Sequence, residues 1–162
     1  MNRKILLILT AALAAGLGLA LSVAVFKPAL PAKSLPVLAT AKVIDSPRAL
    51  PPFKLQSASG PMTAEQLKGH WTVVFVGFTH CPDVCPTALT DMARAQALWA
   101  KAGLPAKPKL LFVSVDPERD TPEKIAEYAT YFHKDTLTAT AAEPQLAEFT
   151  RALGLVYMKV PQ

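Results

Sequence analysis

Cys81 and Cys85 are the only cysteines of the 162-residue chain, and both lie in the stretch WTVVFVGFTHCPDVCPT, residues 71–87. Thiols four positions apart fall on one face of a helical turn, close enough to chelate one metal ion or to close a disulfide. The apolar run before them, residues 73–78, is rich in β-branched and aromatic side chains, the composition of a buried strand. Pro86 suits the first position of a helix, and a helical pattern follows it. A thiol at such a helix start meets unpaired N–H groups and partial positive charge, which favour the thiolate. The thiolate is both a nucleophile and a soft-metal ligand.

Strand, tight cysteine-bearing loop, then helix is the layout of thioredoxin-like sites. The spacing is C-x3-C where a common redox motif has C-x2-C, which tilts the reading toward metal handling while leaving exchange chemistry open. Other candidates have plainer alternatives. His80 adjoins Cys81, but neighbours on an extended segment point apart, so it reads as a loop histidine beside the site. His70 follows a glycine and reads as surface; His133 falls at a helix end that favours a cation. Asp83 reads equally as a turn former and as a group tuning the thiols. Met62, Met92 and Met158 are scattered core candidates, with no methionine-rich metal-binding motif.

The two segments GFTHCPDVCPTAL, residues 77–89, and SVDPERDTPEKIAEY, residues 114–128, resemble the Sco/SenC family. That resemblance covers about residues 50–160. It implies a thioredoxin-like α/β domain on a membrane anchor, acting as a copper metallochaperone in cytochrome c oxidase assembly. It makes Cys81 and Cys85 two of three copper ligands and places the loop with Asp116, Glu118, Arg119 and Asp120 beside the site; of these Asp116 is the candidate outer-sphere residue, and reads equally as a turn former before the next helix. The family's third ligand is a histidine further along. The sequence ends at Gln162, ahead of that histidine and of the family's last two strands and closing helix. The expectation is therefore an incomplete fold whose intact form continues past Gln162. The strand before the cysteines should then lie at an open edge, and residues 53–162 alone should be poorly stable or aggregate.

The elements that must position these residues follow in order. Residues 1–4 are a basic head, and residues 5–26 carry no charge over 22 positions. As a helix that run spans about 33 Å, enough for a hydrocarbon core of roughly 30 Å. It exceeds the ~7–15-residue apolar core of a cleaved signal peptide, the competing reading. The basic head keeps the N-terminus inside, so the expected placement is a single-pass protein of the bacterial inner membrane with its domain on the exported side. Residues 27–52 hold six prolines and read as a semi-extended spacer before a domain at 53–162.

Within that domain, strands are expected at 53–56, 72–78, 110–115, 137–140 and 155–160. Thr63 and Gln66 form a capping-box pattern for a brief helix that Gly69 ends. Longer helices are expected at 86–101, with Leu89, Met92 and Trp99 inward, at 122–133 under a Thr121 cap, and at 143–153, stopped by Gly154. Alternation of strands and helices predicts a mostly parallel sheet.

Net charge is +5, with no basic stripe interleaved with aromatics, which argues against nucleic-acid binding. Two cysteines are too few for a disulfide-stapled scaffold. The leading functional reading is delivery of copper to the copper-accepting subunit of cytochrome c oxidase, with a thioredoxin-like donor keeping the pair reduced; such a carrier is not an enzyme. The alternatives are a thiol–disulfide reductase acting on that subunit's cysteines, more weakly a peroxidase on the same fold, or an inactive fragment.

Overall fold

The computed structural model describes residues 46–158 together with Leu13 and Gly16, both of which are helical. The expected anchor, apart from those two positions, the basic head and most of the spacer lie outside the described residues. Among the described residues no helix is long and apolar enough to cross a membrane. The chain divides into two compact units, residues 1–48 and 49–162. Everything below concerns the second.

That unit opens with a hairpin. Strand β1, Leu55–Ser57, pairs antiparallel with β2, Gly60–Met62, and the turn between them places Gly60 at φ +113°. The hairpin extends the single short strand that the sequence suggests, and it buries Leu55 and Met62. A 3-10 turn, Ala64–Leu67, follows with the expected reciprocal cap: Thr63 accepts from the Glu65 N–H, and Gln66 Oε1 accepts from the Thr63 N–H at 2.8 Å. Thr63→Ala is expected to cost about 1 kcal/mol of stability, read by urea denaturation.

Three parallel strands form the main sheet in the order β3, Thr72–Gly77, then β4, Lys109–Ser114, then β5, Leu137–Ala139. The register sets Phe75 opposite Phe112 and Gly77 opposite Ser114. Parallel neighbours need crossovers, supplied by helices α1, Val84–Lys101, and α2, Pro122–Phe132. A last helix, α3, spans Gln145–Ala152. Strand β4 is central and buried on both faces, as its unbroken apolar run requires. Alternation along the strands then divides the core. Leu111 and Val113 face the hairpin and α3, packing with Leu55, Ala139, Leu146 and Phe149. Leu110 and Phe112 face α1 and α2, packing with Leu89, Ile125 and Ala129.

Four expectations change. Helix α1 begins at Val84, two residues before Pro86, so Cys85 lies in its first turn. Proline is tolerated there because the first four helical N–H groups have no intrahelical acceptor. Leu89 and Met92 pack on the sheet, whereas Trp99 is only half-buried and Gln96 is the buried residue of the last turns, bonded to Thr136 Oγ1 at 3.0 Å. Residues 155–158 are not a strand. Gly154, at φ +76°, caps α3, the Leu155 N–H returns to the Thr150 carbonyl, and the Tyr157 hydroxyl bonds the Glu143 carboxylate, so this segment is tied to α3 and not to the sheet. Met158 is consequently 86% exposed and no core residue. Strand β3 does lie at a sheet edge among the described residues, with Trp71 at its start 79% exposed.

Candidate metal and redox site

The site stands at the C-terminal edge of the parallel sheet, where β3 gives way to α1 through residues 78–83. Both cysteines are free thiols. Cys81 is partly accessible and Cys85 is buried, 6% exposed. Cys81 Sγ accepts the Cys85 N–H at 3.4 Å, one of the amides that the start of α1 leaves unpaired. Asp83 occupies the N-cap position but makes no side-chain cap bond, so the Cys81 sulfur takes that role. The spacing thus brings the pair together, as the sequence predicts.

The pair is electrostatically unequal. The Cys81 thiol lies below its ordinary value, chiefly through the Cys85 main-chain N–H and then that of Asp83. Burial pushes the Cys85 thiol up, and the neighbouring Cys81 adds to the rise. Since the thiolate is the reactive species, iodoacetamide near pH 7 is expected to label Cys81 first. The rate at Cys81 should level off at a lower pH than for an ordinary thiol, and Cys85 should respond only at higher pH. Mass-spectrometric mapping across a pH series reads both.

Two details of the fold make room for this arrangement. Gly77, the last residue of β3, is buried, and a Cβ added there would stand 2.9 Å from Cys85 Sγ and 3.2 Å from Phe112 Cε2. The second detail is the loop after β4. Its Asp120 is fully buried and gathers three donors: the Thr79 N–H at 2.9 Å, the Thr79 hydroxyl at 2.5 Å and the Ser114 hydroxyl at 2.5 Å. Burial alone would raise this carboxyl; the Ser114 and Thr79 bonds outweigh it and leave the group below its ordinary value.

The other candidates take definite places. Asp116 turns to Arg119, whose Nε lies 2.5 Å from its carboxylate, and its own N–H donates to Ser114 Oγ at 3.2 Å. Its side chain thus turns away from the Asp120 carboxylate, while its carbonyl accepts the Asp120 N–H at 2.9 Å. Asp120, in the same loop as Asp116, is the member that reaches the cysteine turn; the sequence marks it only by its place just ahead of the Thr121 cap. His80 Nδ1 lies 3.0 Å from the Thr79 hydroxyl and 3.4 Å from the Asp120 carboxylate. His133 caps the end of α2, and its Nδ1 accepts the Asp135 N–H. His70 is half-buried with a buried Nε2, more enclosed than a surface residue. Among the described residues no group of three histidine, cysteine, aspartate or glutamate side chains is placed to hold one metal ion. What the site offers is two thiols, one open and one enclosed: enough for soft-metal capture shared with a third donor, and for exchange with a disulfide.

Comparison with known proteins agrees with the fold. The family model described as SCO1/SenC matches residues 42–162. The SCO1 homologue 1 of Arabidopsis thaliana, a mitochondrial protein, is 36% identical over 113 residues, 68% of this chain and 33% of that protein. A SCO2-like protein of Rickettsia prowazekii is 34% identical over 110 residues, 67% of this chain and 53% of that one. The chain thus spans between a third and about half of these relatives. Among solved structures, Arabidopsis ScoI with copper bound superposes with a TM-score of 0.64 at 35% identity, covering 68% of this chain and 69% of that one. The chain belongs to the SCO1/SenC family, and its α/β domain has the thioredoxin-like Sco fold.

Proposed function

We propose that this SCO1/SenC family member is a copper carrier in which Cys81 and Cys85 take Cu(I) as cargo and release it to the copper-accepting subunit of cytochrome c oxidase. The observation that carries this reading is the pairing of two free thiols across the first turn of α1, joined by the bond from the Cys85 N–H to Cys81 Sγ. Cu(I) is soft and suits thiolate ligands. With few protein ligands, incoming thiolates of an acceptor displace Cys81 and Cys85 stepwise, and the metal passes without free release. A thioredoxin-like partner would keep the pair reduced on the oxidising side of the membrane. The reading includes an N-terminal anchor at residues 5–26, a spacer at 27–52 and an exported domain. Asp116 acts in it only through Ser114 and the Asp120 cluster.

A second reading, thiol–disulfide reductase, draws on the unequal exposure of the two thiols. The Cys81 thiolate would attack a partner disulfide, whose S–S bond breaks, and the departing thiolate takes a proton. The Cys85 thiol then gives up its proton and attacks the mixed disulfide. The partner leaves as a dithiol and Cys81–Cys85 is oxidised, a two-electron exchange.

One experiment separates the readings. The reduced full chain is titrated with Cu(I) against a competing chelator, and in parallel is offered a disulfide-containing copper-site peptide. Retention of one Cu(I) per chain against the chelator supports the carrier. Loss of copper to the chelator together with stoichiometric peptide reduction assigns the reductase and overturns it.

A further inference from the structure

We propose that Asp120 is a positioning residue for the cysteine turn: its buried carboxylate fixes Thr79 and so sets where Cys81 stands relative to Cys85. The inference rests on reading Cys81 and Cys85 as the working pair. Strand pairing holds the chain firmly as far as Gly77, opposite Ser114, and helix α1 holds it again from Val84. Between these anchors the turn's own main-chain bond, from the Cys81 N–H to the Phe78 carbonyl, is long at 3.4 Å. The tether from outside is Asp120, 41 residues further along, which accepts from both the main chain and the side chain of Thr79.

The chemistry of the cluster demands a carboxylate. Three donors converge on its two oxygens: Thr79 N–H and Ser114 Oγ on Oδ2, and Thr79 Oγ1 on Oδ1. An ionised carboxyl is an acceptor at both atoms, whereas asparagine of the same shape turns an NH2 group toward one of these donors. If that group meets the Thr79 N–H, the bond is lost outright; if it meets the Thr79 hydroxyl, the hydroxyl must reverse to accept and the short charged bond is lost. The turn would then relax, and Cys81 with it. The Ser114 hydroxyl extends the cluster, accepting from the Asp116 N–H while it donates to Asp120. The two loops at this edge of the sheet are therefore joined through one carboxylate.

The test uses the full chain with Asp120→Asn and two readouts: Cu(I) retention by chelator competition, and the equilibrium of the Cys81–Cys85 disulfide with glutathione. Partners that orient a metal site typically contribute about 10–100-fold in affinity, and a loss in that range is expected here. A loosened pair also has a lower effective concentration of one thiol at the other, so the disulfide should become easier to reduce; a tenfold change corresponds to about 30 mV. Ile125→Val, a truncation in the core facing α1 and α2, should leave both readouts unchanged. Unchanged readouts for Asp120→Asn, or an equal shift in Ile125→Val, overturn the proposal. If Asp120→Asn fails to fold, Thr79→Val decides: it keeps the main-chain bond, loses the hydroxyl, and should shift both readouts partway, no shift being the overturning result. A wild-type chain that retains no copper defeats the carrier reading alone, and the glutathione equilibrium still decides on Asp120.

Discussion

Cys81→Ser and Cys85→Ser are each expected to lower Cu(I) retention by on the order of a hundredfold, and the double substitution to abolish it. The magnitude follows from structural metal sites, where about 10–16 kcal/mol is shared among four ligands, or roughly 3 kcal/mol each. Serine keeps the size of the side chain but replaces a soft sulfur with a hard oxygen that stays protonated near neutral pH. The two single variants should differ in stability. Cys81 is partly accessible and caps an amide of α1, a role that a hydroxyl also fills, so Cys81→Ser should fold normally. Cys85 is buried beside Gly77, and a hydroxyl there gives up its hydration for little more than the main-chain bond at Phe78 that the sulfur already has, so Cys85→Ser should also destabilise by about 1 kcal/mol. Chelator competition and urea denaturation on the same samples separate the effects.

Gly77→Ala is the second large effect. The new methyl would lie 2.9 Å from Cys85 Sγ, nearer than side-chain carbons approach sulfur, and 3.2 Å from the Phe112 ring. Phe112 is fully buried and stacked on Phe75 at 5.7 Å, so the sulfur has to move. Overpacking of this kind costs about 1–3 kcal/mol. It should also weaken copper retention, because the displaced atom is a proposed ligand. A double-mutant cycle identifies the contact: in a Cys85→Ala background, which removes the crowded sulfur, Gly77→Ala should lose most of its penalty. An unchanged penalty there would place the conflict at Phe112 instead.

Much of this organisation was legible in the sequence because it is written in local patterns. The Thr63–Gln66 box, the Thr121 cap ahead of Pro122, the apolar runs of β3 and β4 and the terminating Gly154 each act within a few residues, and each was read correctly. The pairing of Cys81 with Cys85 was legible for the same reason. What escaped depends on distant partners. Pro86 points to a helix start, but the helix begins two residues earlier, where the Cys85 N–H meets the Cys81 sulfur, a bond no proline rule anticipates. Asp116 and Asp120 look alike in SVDPERD; only the crossover of the sheet shows that Thr79 meets the second. Apolar pattern also suggested a strand at 155–160, and over 155–158 the Glu143–Tyr157 bond and the cap at Gly154 decided otherwise.

The parallel register of the sheet bears on how the thiols come to be sheltered at all. Val73 pairs with Leu110, and Leu111 with Leu137, so neither strand pair closes without first looping a whole helix. Contacts this remote form late, after a search that local structure does little to shorten. Until β4 arrives, Gly77 has no partner in Ser114 and Asp120 is not beside Thr79. A chain still folding therefore presents Cys85 unprotected, and the enclosure that sets it apart from Cys81 is acquired only when the sheet closes. Oxidation during that interval meets a flexible dithiol; oxidation afterwards meets one open sulfur and one enclosed.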